Sequence, residues 1–92
     1  MTKNQTFDNV WEALEDDPVI IKNLTMRSEL MNSIAKAIES NGLTQTQAAE
    51  IMEVTQPRVS ALLQGKINDF RLDMLVNMAH RLGLTVSLDI AA

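Results

Sequence analysis

Apolar residues recur along most of this chain at a helical period, and a change of period marks its last segment. Phe7, Val10, Trp11 and Leu14 fall at i, i+3, i+4 and i+7, one face of a short amphipathic helix that Asp8 can cap. Asp17-Pro18 predicts the start of a second helix: Asp caps well, and Pro tolerates the first helical position because its missing N–H is unpaired there anyway. Ile20, Leu24, Met31, Ile34 and Ile38 carry that helix to Asn41-Gly42, where Gly42 is free to take a positive φ. Arg27 occupies a position of the apolar stripe, which points to a break near Thr25.

Thr44-Gln45-Thr46-Gln47 fits a capping box, with Thr44 capping and Gln47 reaching back. It opens a helix from Gln45 to Met52 that should bury Ala48, Ala49, Ile51 and Met52. After the turn Glu53-Val54-Thr55, Thr55 caps a helix from Gln56 to Gln64 with Pro57 in its first turn and Val59, Leu62 and Leu63 at helical spacing. Two short helices joined by a turn this tight have the plan of a helix-turn-helix. A loop from Lys66 to Arg71 leads to a helix from Leu72 to Leu82, with Leu72, Leu75, Val76, Ala79 and Leu82 inward. Asp73 and Arg81 lie at the ends that its dipole favours. Beyond Gly83 the period becomes two: Leu84, Val86, Leu88 and Ile90 alternate with Thr85, Ser87 and Asp89, which predicts a strand with one buried face. No other segment reads as a strand, and a lone strand leaves its backbone groups unpaired. The expectation is that it pairs with its own copy in a homodimer. The fold class is therefore all-α: a bundle of about five helices closed by a short C-terminal β-strand.

Composition removes whole classes of chemistry. The chain has 92 residues, no cysteine and one histidine, His80. Disulfide frameworks, thiolate zinc sites, cysteine nucleophiles and multi-histidine metal sites are excluded. Asp16-Asp17 reads as a helix cap and a solvated face rather than a catalytic pair, and no Gly-rich phosphate loop is present. The six methionines fall at helical spacing and read as core filler. The expectation is a binding protein, not an enzyme, with no cofactor and no metal. Met1 to Asn9 lacks the basic and apolar regions of a signal peptide, and no apolar run approaches the roughly 20 residues of a membrane span. A cytoplasmic protein that touches no membrane is expected.

The net charge is −4, which on its face argues against a nucleic-acid partner. Its distribution reverses that argument. Residues 1–17 hold one base and five acids, whereas residues 18–92 hold seven of each and are neutral. The chain therefore divides into an acidic N-terminal segment, 1–17, and a neutral helix-turn-helix domain, 18–92. The outward face of the second short helix consists of Gln56, Pro57, Arg58, Ser60, Ala61 and Gln64, with one Arg and no acid. Such a face can enter a major groove without like-charge repulsion. For Phe7, Val10, Trp11 and Leu14 two readings stand: packing back on the domain's own core, or docking into another protein's groove.

The run GLTQTQAAEIMEVTQPRVSALLQGK resembles the helix-turn-helix core of the xenobiotic-response-element (Cro/cI-like) family. Within that family, TQPRVSALLQGK followed by LDMLVNMAHRLGLTVSL, together with NVWEAL and NLTMRSELM, resembles the subgroup of HigA-type antitoxins. The resemblance spans about Val10 to Leu88 and implies a lambda-repressor-like bundle. It assigns DNA contact to Thr44, Gln45, Thr55, Gln56, Pro57, Arg58, Ser60, Ala61, Gln64 and Lys66. In that assignment Gln45 and the amides of its helix start clamp a phosphate, Gln56, Pro57 and Arg58 read bases, Ala61 meets a thymine methyl, and Lys66 holds a phosphate. It further implies a repressor that binds its own operator as a dimer through Leu84, Val86, Leu88 and Ile90, associated with the nucleoid when so bound. Through Phe7, Val10, Trp11 and Leu14 it would neutralise a basic toxin of the RelE/HigB-like endoribonuclease type. The alternatives are a stand-alone regulator of the same family without a toxin, and a protein–protein module whose helix-turn-helix no longer binds DNA. This sequence departs from the family at Glu53, where a turn glycine is usual, and at Arg71, where a capping Ser or Thr is expected.

Overall fold

In the computed structural model, which describes residues 17–92, helix α1 runs unbroken from Pro18 to Ser40. Asp17 caps it as expected, its carboxylate accepting from the Val19 N–H at 2.9 Å. The expected break near Thr25 does not occur. The Thr25 hydroxyl donates to the Ile21 carbonyl at 2.8 Å, inside the helical ladder. Arg27 takes a stripe position without breaking the helix because its guanidinium finds carbonyl partners across the core.

Three short helices pack on α1: α2 (Gln45–Met52), α3 (Gln56–Leu63) and α4 (Leu72–Arg81), with a 3-10 turn at Ile67–Asp69 between the last two. The core gathers Leu24, Met31, Ile34 and Ile38 of α1 with Ala48, Ala49 and Met52 of α2, Val59 and Leu62 of α3, and Leu75, Met78 and Ala79 of α4. Ile67 and Phe70 from the connecting segment complete it. That segment reads as a plain loop in the sequence, yet the Phe70 ring is fully enclosed. Four of the residues expected inside, Ile20, Leu63, Ile51 and Val76, are each about two-fifths exposed. They flank the buried stripes, and each short helix meets its neighbours along a strip narrower than its apolar face.

The described residues contain four α-helices and no strand. The fifth expected helix, carrying Phe7, Val10, Trp11 and Leu14, lies outside the described residues. The expected strand from Leu84 to Ile90 is a correction: this stretch has no regular hydrogen-bonded structure in the single chain. Its first residue is tied down, with the Leu84 N–H donating to the Ala79 carbonyl at 2.9 Å. Val86, Leu88 and Ile90 are exposed, Leu88 by 76% and Ile90 by 81%. Alternation makes a segment extended and two-faced, but a ladder needs a second strand.

Candidate nucleic-acid interface

The two helices of the interface begin at side-chain caps that the sequence spells out. At α2 the Gln47 N–H donates to the Thr44 hydroxyl at 3.1 Å, and the Thr44 N–H donates to the Gln47 side-chain oxygen at 2.9 Å, a reciprocal capping box. At α3 the Arg58 N–H donates to the Thr55 hydroxyl at 3.3 Å, and Pro57 sits in the first turn. Both helices are eight residues long, too short to persist alone, so the caps and the core hold them together. Ala48 and Ala49 of α2 are buried in the core that the two helices share.

The turn between them is left-handed at Glu53, with φ 60° and ψ 44°. Its shape matches what a glycine would supply, at a cost of about 1 kcal/mol for a residue bearing a Cβ. The Glu53 N–H donates to the Glu50 carbonyl at 3.3 Å, and two further contacts hold the turn. The Val54 N–H closes back on the Ala49 carbonyl at 3.0 Å, and the Glu53 carboxylate accepts from the Arg81 guanidinium of α4 at 2.8 Å. That ion pair is solvent-exposed, so it offsets only part of the strain. Arg71 is the N-cap residue of α4 without any capping side-chain bond, as the sequence anticipates. The helix nonetheless starts at Leu72, held by packing of Leu75, Met78 and Ala79.

With Val59 and Leu62 turned into the core, the opposite side of α3 presents Gln56, Pro57 and Gln64 exposed and Arg58, Ser60 and Ala61 half-buried. The expected base-reading residues are thus gathered on one surface. Thr44 and Gln45 are exposed at the start of α2, where helix amides and dipole favour an anion. Lys66 is exposed just past α3, its N–H closing on the Ala61 carbonyl at 3.1 Å.

Two of these side chains are engaged within the protein. Gln64 donates through Nε2 to the Ser60 hydroxyl at 3.1 Å, one turn back on the same face. Arg58 donates through Nη1 to the Asp69 carbonyl at 2.8 Å, and its guanidinium carbon lies 5.7 Å from the centre of the Phe70 ring. Arg58 is therefore held by the segment after α3, a relation that the sequence does not reveal. Four of its five N–H donors remain for other partners. Among the described residues no group of His, Cys, Asp and Glu is arranged to hold a metal ion. No helix there is long and apolar enough to cross a membrane.

No curated protein matches the chain. A family model describing a helix-turn-helix domain, however, matches residues 14–91, which takes in every helix described above and the C-terminal stretch. Capped α2, left-handed turn, capped α3 and the acid-free face of α3 are the parts such a domain requires, and the chain belongs to this DNA-binding helix-turn-helix family.

Proposed function

We propose that this protein is a sequence-specific transcriptional repressor that binds operator DNA as a homodimer and acts as the antitoxin of a toxin–antitoxin pair. The observation that carries the DNA-reading part is the outward side of α3, where Gln56, Pro57 and Arg58 share a helix face that itself carries no acid. Gln pairs naturally with adenine and Arg with guanine in the major groove. The domain itself is neutral, so few phosphate contacts exist per subunit and affinity is modest; dimerisation doubles those contacts, and with them the steepness with which binding weakens as salt rises. The protein is a binding protein in this reading, without enzymatic activity.

Selection from a random duplex library yields the operator. Arg58→Ala then weakens binding to the selected duplex by about 1–3 kcal/mol and relaxes the preference at one base pair. An unchanged titration midpoint would remove Arg58 from the reading set. A full-length protein that selects no duplex at all would favour a protein–protein module instead.

The antitoxin part is supported by charge and spacing. All of the net charge of −4 lies in residues 1–17, alongside the Phe7, Val10, Trp11, Leu14 face. An RNA-cleaving toxin is basic, and an acidic segment with an aromatic anchor complements it. Trp11→Ala is expected to weaken capture of such a toxin by roughly 2 kcal/mol while leaving operator binding unchanged. Full rescue of growth by the variant at low expression would count against this role and favour a stand-alone regulator.

A further inference from the structure

Two arginines from different helices grip the same short segment. Arg27 of α1 donates through Nη1 to the carbonyls of Ile67 at 3.2 Å and Phe70 at 3.1 Å. Its Nε donates to the Asn23 side-chain oxygen at 2.8 Å, one turn earlier on α1. Between those two carbonyls lies Asp69, whose own carbonyl accepts from Arg58 at 2.8 Å, and Phe70 supplies the ring beneath the Arg58 guanidinium. The segment's own backbone bonds are those of a 3-10 turn of three residues: the Asp69 N–H closes on the Lys66 carbonyl at 3.0 Å and the Phe70 N–H on the Ile67 carbonyl at 3.2 Å. Such turns have poor hydrogen-bond geometry and do not hold themselves rigid.

We propose that Arg27 is a positioning residue for Arg58: by fixing the carbonyls on either side of Asp69 it fixes the place and plane of the guanidinium on the recognition helix. Arg27 lies forty residues from Ile67 in the chain and does not belong to the DNA-facing set. An arginine whose plane is set before binding loses less rotamer freedom when it engages a bidentate partner. Phe70 fixes the guanidinium from below, the Asp69 carbonyl fixes one edge, and the remaining donors are left in a defined fork. Arg27 acts on both supports through the backbone, holding the Ile67 and Phe70 carbonyls of the segment that carries them. The role in base selectivity rests on the proposed reading of α3 as the DNA-contacting helix; the positioning itself does not.

The test has two arms that fail separately. In the free full-length protein, the Nε–Hε resonance of Arg58 is expected to be resolved and ordered by NMR relaxation. Arg27→Met should make it mobile, and Arg27→Lys, which keeps the charge but has no second nitrogen to hold Asn23 while the first holds the carbonyls, should act in the same direction. Asn23→Ala, an exposed and milder change, should act in the same direction with a smaller effect, and serves if the Arg27 variants melt below the working temperature. An Arg58 resonance equally ordered in all the variants overturns the proposal. On the selected duplex, a good bidentate contact discriminates roughly 5- to 150-fold against the wrong base pair. Arg27→Met should cut that discrimination by about fivefold or more, and should have no further effect in the Arg58→Ala background, as residues in one network couple. Equal losses in both backgrounds would mean that Arg27 merely stabilises the fold, and overturn the proposal. If no duplex is selected, the DNA reading fails while the NMR arm still decides the positioning.

Discussion

Phe70→Ala is expected to cost about 3–5 kcal/mol of folding stability, enough to leave a domain of this size largely unfolded at 37 °C. The Phe70 side chain is fully buried in the core formed by all four helices, although it comes from a connecting segment rather than from any helix. Removing the ring opens a cavity that the core cannot readily fill, because the other core side chains, Ile34, Val59 and Leu75 among them, are already fully enclosed. The change also removes the surface under the Arg58 guanidinium, a half-exposed cation–π contact worth roughly 0.5–1 kcal/mol. Phe70→Leu keeps most of the volume and should cost no more than about 1.5 kcal/mol plus that contact. Urea unfolding followed by circular dichroism measures both. A loss below about 1 kcal/mol for Phe70→Ala would show that the segment from Ile67 to Phe70 is a peripheral strap and not part of the core.

How far the fold is legible in the sequence depends on the range of the interaction. Asp17-Pro18, the Thr44 to Gln47 box and Thr55 act within three residues of themselves, and each helix start they predict is found where they place it. Glu53 shows the same logic from the other side. The turn needs a left-handed residue there whatever the side chain, and the structure puts Glu53 in that conformation. The failures come from partners that are distant in the chain. Arg27 reads as a fault in an apolar stripe because its two carbonyl partners lie forty and more residues away. Ile67 and Phe70 read as loop because no periodicity marks a short connecting segment, although both are buried.

The candidate interface divides along the same line. Which residues share the surface of α3 follows from helical spacing alone, since Val59 and Leu62 must turn inward and Gln56, Pro57 and Gln64 must then turn out. What the spacing does not carry is the state of each side chain on that surface. Gln64 is paired with Ser60, and Arg58 is pinned to Asp69 and Phe70. Arg58 is thus a prepared donor rather than a free one, which changes the expected consequence of altering the segment behind it.

Replacing both Val86 and Leu88 by Lys is expected to abolish dimerisation and to weaken operator binding by roughly 10²–10⁴-fold, the gain that linking two binding units confers. The stretch from Leu84 onward presents alternating apolar side chains to solvent, with Val86 at 42%, Leu88 at 76% and Ile90 at 81% exposure. Beside it runs a groove of about 700 Å³ whose apolar walls include Met26 and Leu30 of α1 and Leu72 and Val76 of α4. A segment that alternates apolar and polar side chains and has no ladder of its own gains most from a second copy of itself, because a twofold axis supplies both a ladder partner and a matching apolar face. A palindromic operator requires two copies of α3 related by such an axis, about one turn of DNA apart, roughly 34–36 Å. Both substituted positions are exposed in the single chain, so the variant should keep the helical content and the core of each subunit. Sedimentation equilibrium gives the mass, and titration of full and half operators gives the affinities. The variant should sediment as a monomer and bind full and half sites alike; a variant still dimeric, or one with wild-type affinity for the full operator, would place the dimer contact elsewhere.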